Sequence, residues 1–230
     1  MRLVSLLRTP WAFALLVPVF GIILFLGYTP PNADTAAPTA PDTTLPAAVA
    51  DTATFAGGCF WCMEPPYDKI DGVAQTISGY AGGEIENPTY RQVAGGRTNH
   101  TETVQIIYDS TKVDYERLLR IYWHNVDPFD GTGQFCDRGS QYRPAIFAHD
   151  DRQRRLAEET KAAVNAQFDE SVAVEIEPLS AFYVAEDYHQ NFYQKNPRRY
   201  NSYRQGCRRD ARLQAIWGDA AGSDAQLARR

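Results

Sequence analysis

The sequence predicts one layered domain of the α/β or α+β class. From residue 52 onward, segments that alternate apolar and polar residues, as strands do, take turns with segments that have the 3.6-residue period of helices. The 230 residues, 44% of them hydrophobic and 22% charged, are sufficient for one core with terminal extensions. Since the sequence contains no internal repeat, we expect a single domain over residues 52–218.

The chain before this domain has two parts. Arg2 and Arg8 precede an uncharged, mostly apolar run that ends near Tyr28, which is the layout of an export signal. Residues 1–28 therefore form either a cleaved signal peptide or a retained membrane anchor, because the length suits both. Residues 29–51 are rich in proline, alanine and threonine and predict a flexible linker. We expect an exported protein, periplasmic or membrane-anchored and facing the periplasm.

Composition narrows the possible partners. A net charge of −5 and a pI near 5.4 give no general attraction for nucleic-acid phosphates, so we expect no nucleic-acid partner. We also expect a monomer. Four cysteines are too few for a disulfide scaffold in a chain of this length. Their uneven placement, two close together and two far away, suits redox or metal chemistry.

The first predicted strand, residues 52–56, leads into Cys59 through two glycines. The segment that follows has a helical pattern but contains the pair Pro65 and Pro66. Either the helix begins at the cysteine and bends, or Pro65 takes the first helical position, where its missing N–H costs nothing.

Two further strands are predicted over residues 73–80 and 101–108, joined by a long glycine-containing loop over residues 81–99. In the second of these strands, period-two alternation places Glu102 on one face with apolar side chains. These side chains are Val104, Ile106 and Tyr108. Burial of that face would carry a carboxyl group into apolar surroundings.

Two helices and two strands complete the domain, and residues 219–230 are expected to form a loose tail. The helices are predicted over residues 114–125 and 150–168, and the strands over residues 142–148 and 172–176. An aspartate caps the start of the second helix.

Cys59 is the candidate nucleophile of this sequence. The free backbone N–H groups of a turn or helix start can stabilise a thiolate and lower its pKa from about 8.5 toward neutrality. Phe60 and Trp61 follow directly, and two adjacent aromatic residues at such a position cannot both easily point inward. We therefore expect at least one of them to line a pocket.

Six motifs follow one another along the domain and carry a family resemblance. They are Gly58-Cys59-Phe60-Trp61, Gly79-Tyr80-Ala81-Gly82-Gly83, Asn87-Pro88-Thr89-Tyr90, His100-Thr101-Glu102, Asp127-Pro128 and Asp137-Arg138-Gly139-Ser140-Gln141-Tyr142-Arg143. This set resembles the motifs of the peptide methionine sulfoxide reductase A (MsrA) family. The motifs cover nearly the whole domain, and a chance run of so many in order is improbable.

The resemblance implies a fold similar to the two-layer, ferredoxin-like sandwich of that family. It implies that Cys59 attacks the sulfur of a methionine sulfoxide and that Glu102 protonates the departing oxygen. The strand pattern agrees independently, because a carboxyl group that points inward loses solvent and its pKa rises. The substrate would be the S form of the sulfoxide, both free and in oxidised proteins that the enzyme repairs.

The resemblance also implies a pocket around the sulfoxide. Phe60 and Trp61 would surround the methyl group of the substrate, which suits aromatic faces. Tyr90 and Tyr142 match family tyrosines that hydrogen-bond the sulfoxide oxygen, and Asp137 matches an aspartate that orders the pocket. Neither a bound cofactor nor a metal ion is expected.

A disulfide cycle completes the implied reaction. Cys59 would become a sulfenic acid, a second thiol would condense with it to a disulfide, and an external thioredoxin-like dithiol would reopen that bond. Cys207, in a glycine-flanked stretch near the C-terminus, is the first candidate for the second thiol. Cys62, where many members have glycine, and Cys136 are alternative resolving or relay thiols. Cys136 could also pair structurally with Cys207 after export.

Two rival functions use the same cysteines. A thioredoxin-like disulfide exchanger would need only the Cys59/Cys62 pair, although Phe-Trp between the cysteines counts against it. A zinc-binding module would need all four cysteines, and a second close pair is missing from the sequence. The histidines offer no close metal-ligand pair, but His189 lies in a segment that resembles one near the family's pocket.

Overall fold

The computed structural model describes residues 49–227. The predicted leader and nearly all of the predicted linker lie outside the described residues. Within the described range, no helix combines the length and apolarity needed to cross a membrane.

Six strands form one sheet, and two short strands form a separate hairpin. The sheet has the order β7-β6-β1-β3-β2-β8, in which β6 and β7 are parallel and every other neighbouring pair is antiparallel. β4 pairs with β5 in the hairpin. The strands are β1 Ala50–Gly57, β2 Val73–Ala81, β3 Thr101–Asp109, β4 Gly133–Gln134, β5 Asp137–Arg138, β6 Pro144–Ala148, β7 Glu175–Pro178 and β8 Phe182–Val184.

Three of the seven described α-helices form a layer on the sheet. α1 packs against β2 and β3, α3 against β1, and α4 against β6 and β7, while α1 contacts α3 and α3 contacts α4. This arrangement confirms the predicted layered α/β (α+β) class. The helices are α1 Phe60–Asp68, α2 Tyr90–Ala94, α3 Tyr115–Trp123, α4 Asp151–Asn165, α5 Phe192–Lys195, α6 Pro197–Gly206 and α7 Arg209–Trp217.

Two helices of this layer, α3 and α4, begin where their capping residues predict. Asp114 accepts a hydrogen bond from the backbone N–H of Arg117 at 2.6 Å, and Asp150 accepts one from Gln153 at 2.7 Å. The apolar stripe of α3, which includes Leu118 and Tyr122, is fully buried. Burial of this stripe against β1 fixes the sheet beneath the candidate nucleophile.

Several predicted elements differ in detail. α1 begins directly after Cys59 and contains both prolines, which selects the first of the two predicted alternatives. The predicted loop over residues 81–99 contains α2, whose start is closed by a capping box between Thr89 and Gln92. The last predicted strand begins at Glu175 rather than at residue 172, because the N–H of Ala173 bonds the carbonyl of Pro128 instead of joining the sheet.

The segment expected to be a loose tail is packed against α3 as far as residue 227. The N–H of Gly222 bonds the carbonyl of His124 at 2.8 Å, and Asp224 forms a salt bridge of 2.7 Å with Arg117. Leu227 packs against the hydrophobic core. The described part of this segment therefore belongs to the domain.

Candidate active site

The sheet register brings Cys59 and Glu102 together. β1 and β3 are antiparallel and pair Phe55 with Val104, so the residues just after β1 lie opposite the first residues of β3. Glu102 lies two residues before Val104 on the same face, and its carboxylate Oε2 accepts a hydrogen bond of 3.1 Å from the N–H of Phe60. The Glu102 carboxyl also hydrogen-bonds the Cys59 thiol.

Gly58 makes the turn into this site possible. Its φ of +82° lies in the left-handed region, which favours glycine. A Cβ atom at this position would also come within 2.6 Å of the Cβ of Gln134. The strand can therefore pass into the helix with Cys59 at its N-cap only because residue 58 has no side chain.

Glu102 is a neutral acid at pH 7. It is 2% exposed, and burial raises the pKa of its carboxyl to about 8, although the hydrogen bond from Phe60 opposes the shift. Nearby Asp137 raises the pKa further. The inward orientation predicted from the strand pattern is therefore present, and it gives Glu102 a proton to donate.

The electrostatics of Cys59 differ from the expectation. Its position at a helix start was expected to lower the pKa of the thiol, but burial raises this pKa well above the usual value, and Glu102 raises it further. Desolvation outweighs the helix start, and the negative charges of Glu102 and Asp137 add to its effect, while a hydrogen bond from Tyr203 acts in the opposite direction. Cys59 and Glu102 therefore form a buried pair of neutral acids.

Three of the other predicted residues lie around this pair. Tyr90 and Tyr142 hydrogen-bond each other through their side chains, and burial raises the pKa of Tyr90 to about 12. A negative charge on Glu102 would raise the pKa of both tyrosine hydroxyls, so both tyrosines lie close to this carboxyl. Asp137, on β5, is half-buried, and burial raises its pKa as well. The structure thus assembles Cys59, Glu102, Tyr90, Tyr142 and Asp137 in one site.

Tyr203 is a member of this site that the sequence did not indicate. Its hydroxyl donates a hydrogen bond to the carboxylate of Asp137. The same hydroxyl hydrogen-bonds Cys59 and lowers the pKa of that thiol, since it can donate to the thiolate. The hydroxyl has one proton, so Asp137 and the Cys59 thiolate compete for it.

Aromatic rings enclose one side of the site. Phe60 is buried, with its ring 4.8 Å from that of His189, and the indole N–H of Trp61 donates to His189 Nδ1 at 3.0 Å. Burial lowers the pKa of His189 to about 4, so this histidine is neutral at pH 7. Trp61 stacks on Phe192 with ring centroids 3.6 Å apart, and it remains partly exposed. Phe60 and Trp61 thus provide an apolar wall beside Cys59.

The four cysteines are present in two states. Cys59 and Cys62 are buried free thiols within one turn of each other, and a disulfide joins Cys136 to Cys207. The bond that the sequence predicted first, between Cys59 and Cys207, is not the one in this structure. Cys207 is joined instead to Cys136, a pairing that the sequence left as an alternative. Cys136 is exposed, and its neighbour Asp137 binds Tyr203, so the disulfide lies at the edge of the site.

The cysteines do not form a common zinc site among the described residues. Only Cys136, Asp137 and Cys207 bring possible ligand atoms within 4.8 Å of one another in residues 49–227. Their two sulfurs are joined, which removes both as thiolate ligands. Cys59 and Cys62 are not members of this group.

The fold and this site define a class of protein: a thiol oxidoreductase domain with a buried cysteine and a protonated carboxyl beside an aromatic wall. Residues 51–221 match the model of the peptide methionine sulfoxide reductase family. The chain belongs to this family.

Individual relatives agree with this assignment. The MsrA of Ligilactobacillus salivarius is 51% identical over 166 residues, which cover 71% of this chain and 96% of the relative. The MsrA of Bacillus licheniformis is 49% identical over 170 residues, or 73% and 94% of the two chains. Among solved structures, reduced Mxr1 from Saccharomyces cerevisiae is 32% identical with a TM-score of 0.64, over 66% and 89% of the two chains. Methionine sulfoxide reductase A of Corynebacterium diphtheriae is 36% identical with a TM-score of 0.59, over 64% of this chain and 76% of the other.

Proposed function

We propose that this enzyme reduces methionine sulfoxide to methionine and thereby repairs oxidised proteins. The single observation that carries the proposal is the buried pair of Cys59 and protonated Glu102. A sulfoxide is reduced when a thiol attacks its sulfur while an acid protonates its oxygen, and this pair provides both groups in one water-poor site. The family resemblance adds the S form as the preferred diastereomer.

In the first step, the Cys59 sulfur attacks the sulfur of the sulfoxide. Glu102 donates its proton to the sulfoxide oxygen and takes up the proton that the thiol releases, so the carboxyl ends the step protonated. The sulfur–sulfur bond that the attack formed and the sulfur–oxygen bond of the substrate both break, the sulfide leaves, and the hydroxyl passes to the sulfur of Cys59, which becomes a sulfenic acid. Two electrons pass from the sulfur of Cys59, which is oxidised, to the sulfur of the substrate, which is reduced.

The tyrosines and the aromatic wall orient the substrate for this attack. Tyr90 and Tyr142 lie beside Glu102, so their hydroxyls are positioned to hydrogen-bond the sulfoxide oxygen. Phe60 and Trp61 provide the apolar surface for the methyl group. Asp137 holds Tyr203 next to the Cys59 sulfur, where the hydroxyl stabilises a developing thiolate.

In the second step, a thiol attacks the sulfenic acid, and a disulfide and water form. In the state described here, Cys62 is the free thiol nearest to Cys59 along the chain, and the side chains of Arg209 and Arg204 oppose the effect of burial on its pKa. Cys207 becomes available only after its bond to Cys136 is reduced. The geometry therefore supports Cys62 in this state, and Cys207 stays the prediction for the fully reduced enzyme.

The cycle needs an external dithiol and no bound cofactor. A thioredoxin-like protein would open the intramolecular disulfide by attack on its more exposed sulfur, followed by release through its own second thiol. The exposed position of Cys136 supports the Cys136–Cys207 bond as one point of entry.

We also propose that the enzyme works outside the cytoplasm, as the apolar segment after Arg8 predicts. Fractionation of cells that express the full chain tests the proposal: recovery of the enzyme in the cytosolic fraction alone would contradict it.

Turnover of separated diastereomers tests the activity. With a small dithiol as reductant, we expect Cys59-dependent reduction of the S form of a methionine sulfoxide peptide and none of the R form. Cys59→Ser should abolish the reaction. If a folded, reduced enzyme turns over neither form, the proposal fails and disulfide exchange by Cys59 and Cys62 becomes the better explanation.

Mass-spectrometric mapping of disulfides after one turnover of reduced enzyme tests the choice of resolving thiol. A bond from Cys59 to Cys207 would support the prediction from sequence, and a bond from Cys59 to Cys62 would overturn it. Cys62→Ser and Cys207→Ser are the matched variants, because only the loss of the true resolving thiol lets the Cys59 sulfenic acid accumulate.

A further inference from the structure

Positive charge is concentrated in one segment near the C-terminal end of the domain. Residues 195–212 contain seven basic residues and one acidic residue, whereas the rest of the chain contains 16 basic and 27 acidic residues. The segment runs from the last residue of α5 through α6 into α7. Arg209 is buried, and Arg204 and Arg212 form salt bridges with Asp210 and Asp127. The exposed basic side chains that form no salt bridge in the described structure are Lys195, Arg198, Arg199 and Arg208.

Arg199 brings this charge to the edge of the aromatic wall. Its guanidinium carbon lies 5.7 Å from the ring centroid of Trp61 and 5.6 Å from that of Phe192, which are cation–π distances. Arg199 and its neighbour Arg198 are both exposed. The stacked rings thus hold one guanidinium in place at the outer rim of the pocket.

The charges of this rim are not neutralised within residues 49–227. Neither Arg198 nor Arg199 takes part in a salt bridge of the described structure. Of the acidic groups in adjoining segments, Asp210 pairs with Arg204. Glu186 accepts hydrogen bonds from the Tyr80 hydroxyl and the backbone N–H of Tyr90, Asp187 is exposed, and neither forms a salt bridge in the described structure. The guanidinium groups of Arg198 and Arg199 are therefore available to a carboxylate of an approaching peptide.

We propose that Arg198 and Arg199 select methionine sulfoxides that have acidic residues beside them in the substrate chain. The inference rests on the proposed function, because it concerns the peptide that delivers the sulfoxide to Cys59. Such a peptide must carry its flanking residues past the rim, where a guanidinium attracts a carboxylate. Tyr188, 57% exposed with its ring 4.2 Å from His189, offers the same peptide an aromatic contact.

Three matched peptides test the proposal. They share one sequence with a central S-form methionine sulfoxide and differ only in flanking aspartate, glutamine or lysine. Dithiothreitol serves as the reductant, so no protein partner enters the assay. At low ionic strength we expect kcat/KM to be roughly tenfold higher for the aspartate peptide than for the lysine peptide, and the ratio to fall as salt is added.

Variants of the rim assign the effect to particular residues. Arg199→Gln should reduce the ratio by about threefold, mainly through KM, and combination with Arg198→Gln should reduce it further. Arg199→Lys keeps the charge and should retain most of the preference. Arg152→Gln is the matched control, because Arg152 is an exposed arginine on α4, which packs against α3, β6 and β7.

Equal kcat/KM for the three peptides would overturn the inference, and turnover of the glutamine peptide would still support the proposed function. A preference that survives the double variant would overturn it as well. If the double variant instead raises only the KM for a thioredoxin, the rim serves the reductant, and the inference is wrong. Failure to reduce any of the peptides would overturn the proposed function itself.

Discussion

Replacement of Glu102 by glutamine separates its role as an acid from its role in the fold. Glutamine has nearly the same shape, and its side-chain oxygen can still accept the hydrogen bond that the N–H of Phe60 donates at 3.1 Å. An amide cannot transfer a proton to the sulfoxide oxygen. The variant should therefore fold and bind substrate but lose the chemical step.

The size of the effect follows from the pKa of Glu102. With a pKa of about 8, roughly nine in ten Glu102 side chains carry the proton at pH 7 and about one in ten at pH 9. The wild-type rate should therefore fall about tenfold between these two pH values. Loss of a general acid typically costs a factor of about 10² to 10⁴, or about 3 to 5 kcal/mol of barrier, so we expect a decrease of this size in Glu102→Gln at pH 7.

Single-turnover rates with a saturating S-form sulfoxide peptide, measured from pH 6 to pH 9.5, provide the assay. Wild type should decline above pH 8, whereas Glu102→Gln should show no such decline, because a higher pH only favours its thiolate. Circular dichroism of both proteins serves as the folding control. A folded variant within about threefold of wild type at pH 7, or one with the same alkaline decline, would refute the assignment.

Three further predictions concern the surroundings of this pair. Tyr203→Phe removes a hydrogen bond to Cys59 and should raise the pKa of that thiol and lower kcat/KM by about threefold to tenfold; unchanged pH dependence of Cys59 alkylation would contradict this. Burial raises the pKa of Glu64 to about 7, so the folded state retains a proton that the unfolded state releases near pH 4.5, and stability should fall as the pH rises from 4.5 to 7. In urea unfolding, Glu64→Gln should remove about 3 kcal/mol of the decrease in unfolding free energy over this pH range. An equally large decrease in the variant would refute the assignment to Glu64. Gly58→Ala should lower the unfolding free energy by about 2 kcal/mol or more, and an unchanged melting temperature would argue against the strain described here.

The orientation of Glu102 could be predicted from sequence because it depends on local periodicity alone. The period-two pattern of β3 places the carboxyl on the buried face whatever the neighbouring strands are. The same holds for α3 and α4, whose apolar stripes and capping aspartates are contained in a few turns of chain. Elements with such complete local signals were therefore located to within a few residues.

The role of Tyr203 could not be predicted in this way. α6 buries only Tyr200 and has no continuous apolar stripe, so its sequence does not indicate which face meets the domain. A disulfide from Cys207 and the hydrogen bond to Asp137 connect this helix to a hairpin more than 60 residues away. Contacts over such distances depend on the whole topology. The short strands β4, β5 and β8 could not be predicted either, because two or three residues are too few to show a period.

The pKa of Cys59 illustrates how such distant contacts reverse a local rule. A helix start favours a thiolate, but the elements that bury Cys59 and place Glu102 beside it have the larger effect. A neutral thiol is a poor nucleophile toward oxidants in general, which limits unproductive oxidation of Cys59. A sulfoxide that enters the aromatic pocket changes this balance, because its oxygen accepts the proton of Glu102 and leaves a carboxylate to accept that of the thiol. Reactivity would then depend on the one substrate that completes the proton transfer, and the same burial that suppresses the thiolate would make the enzyme selective.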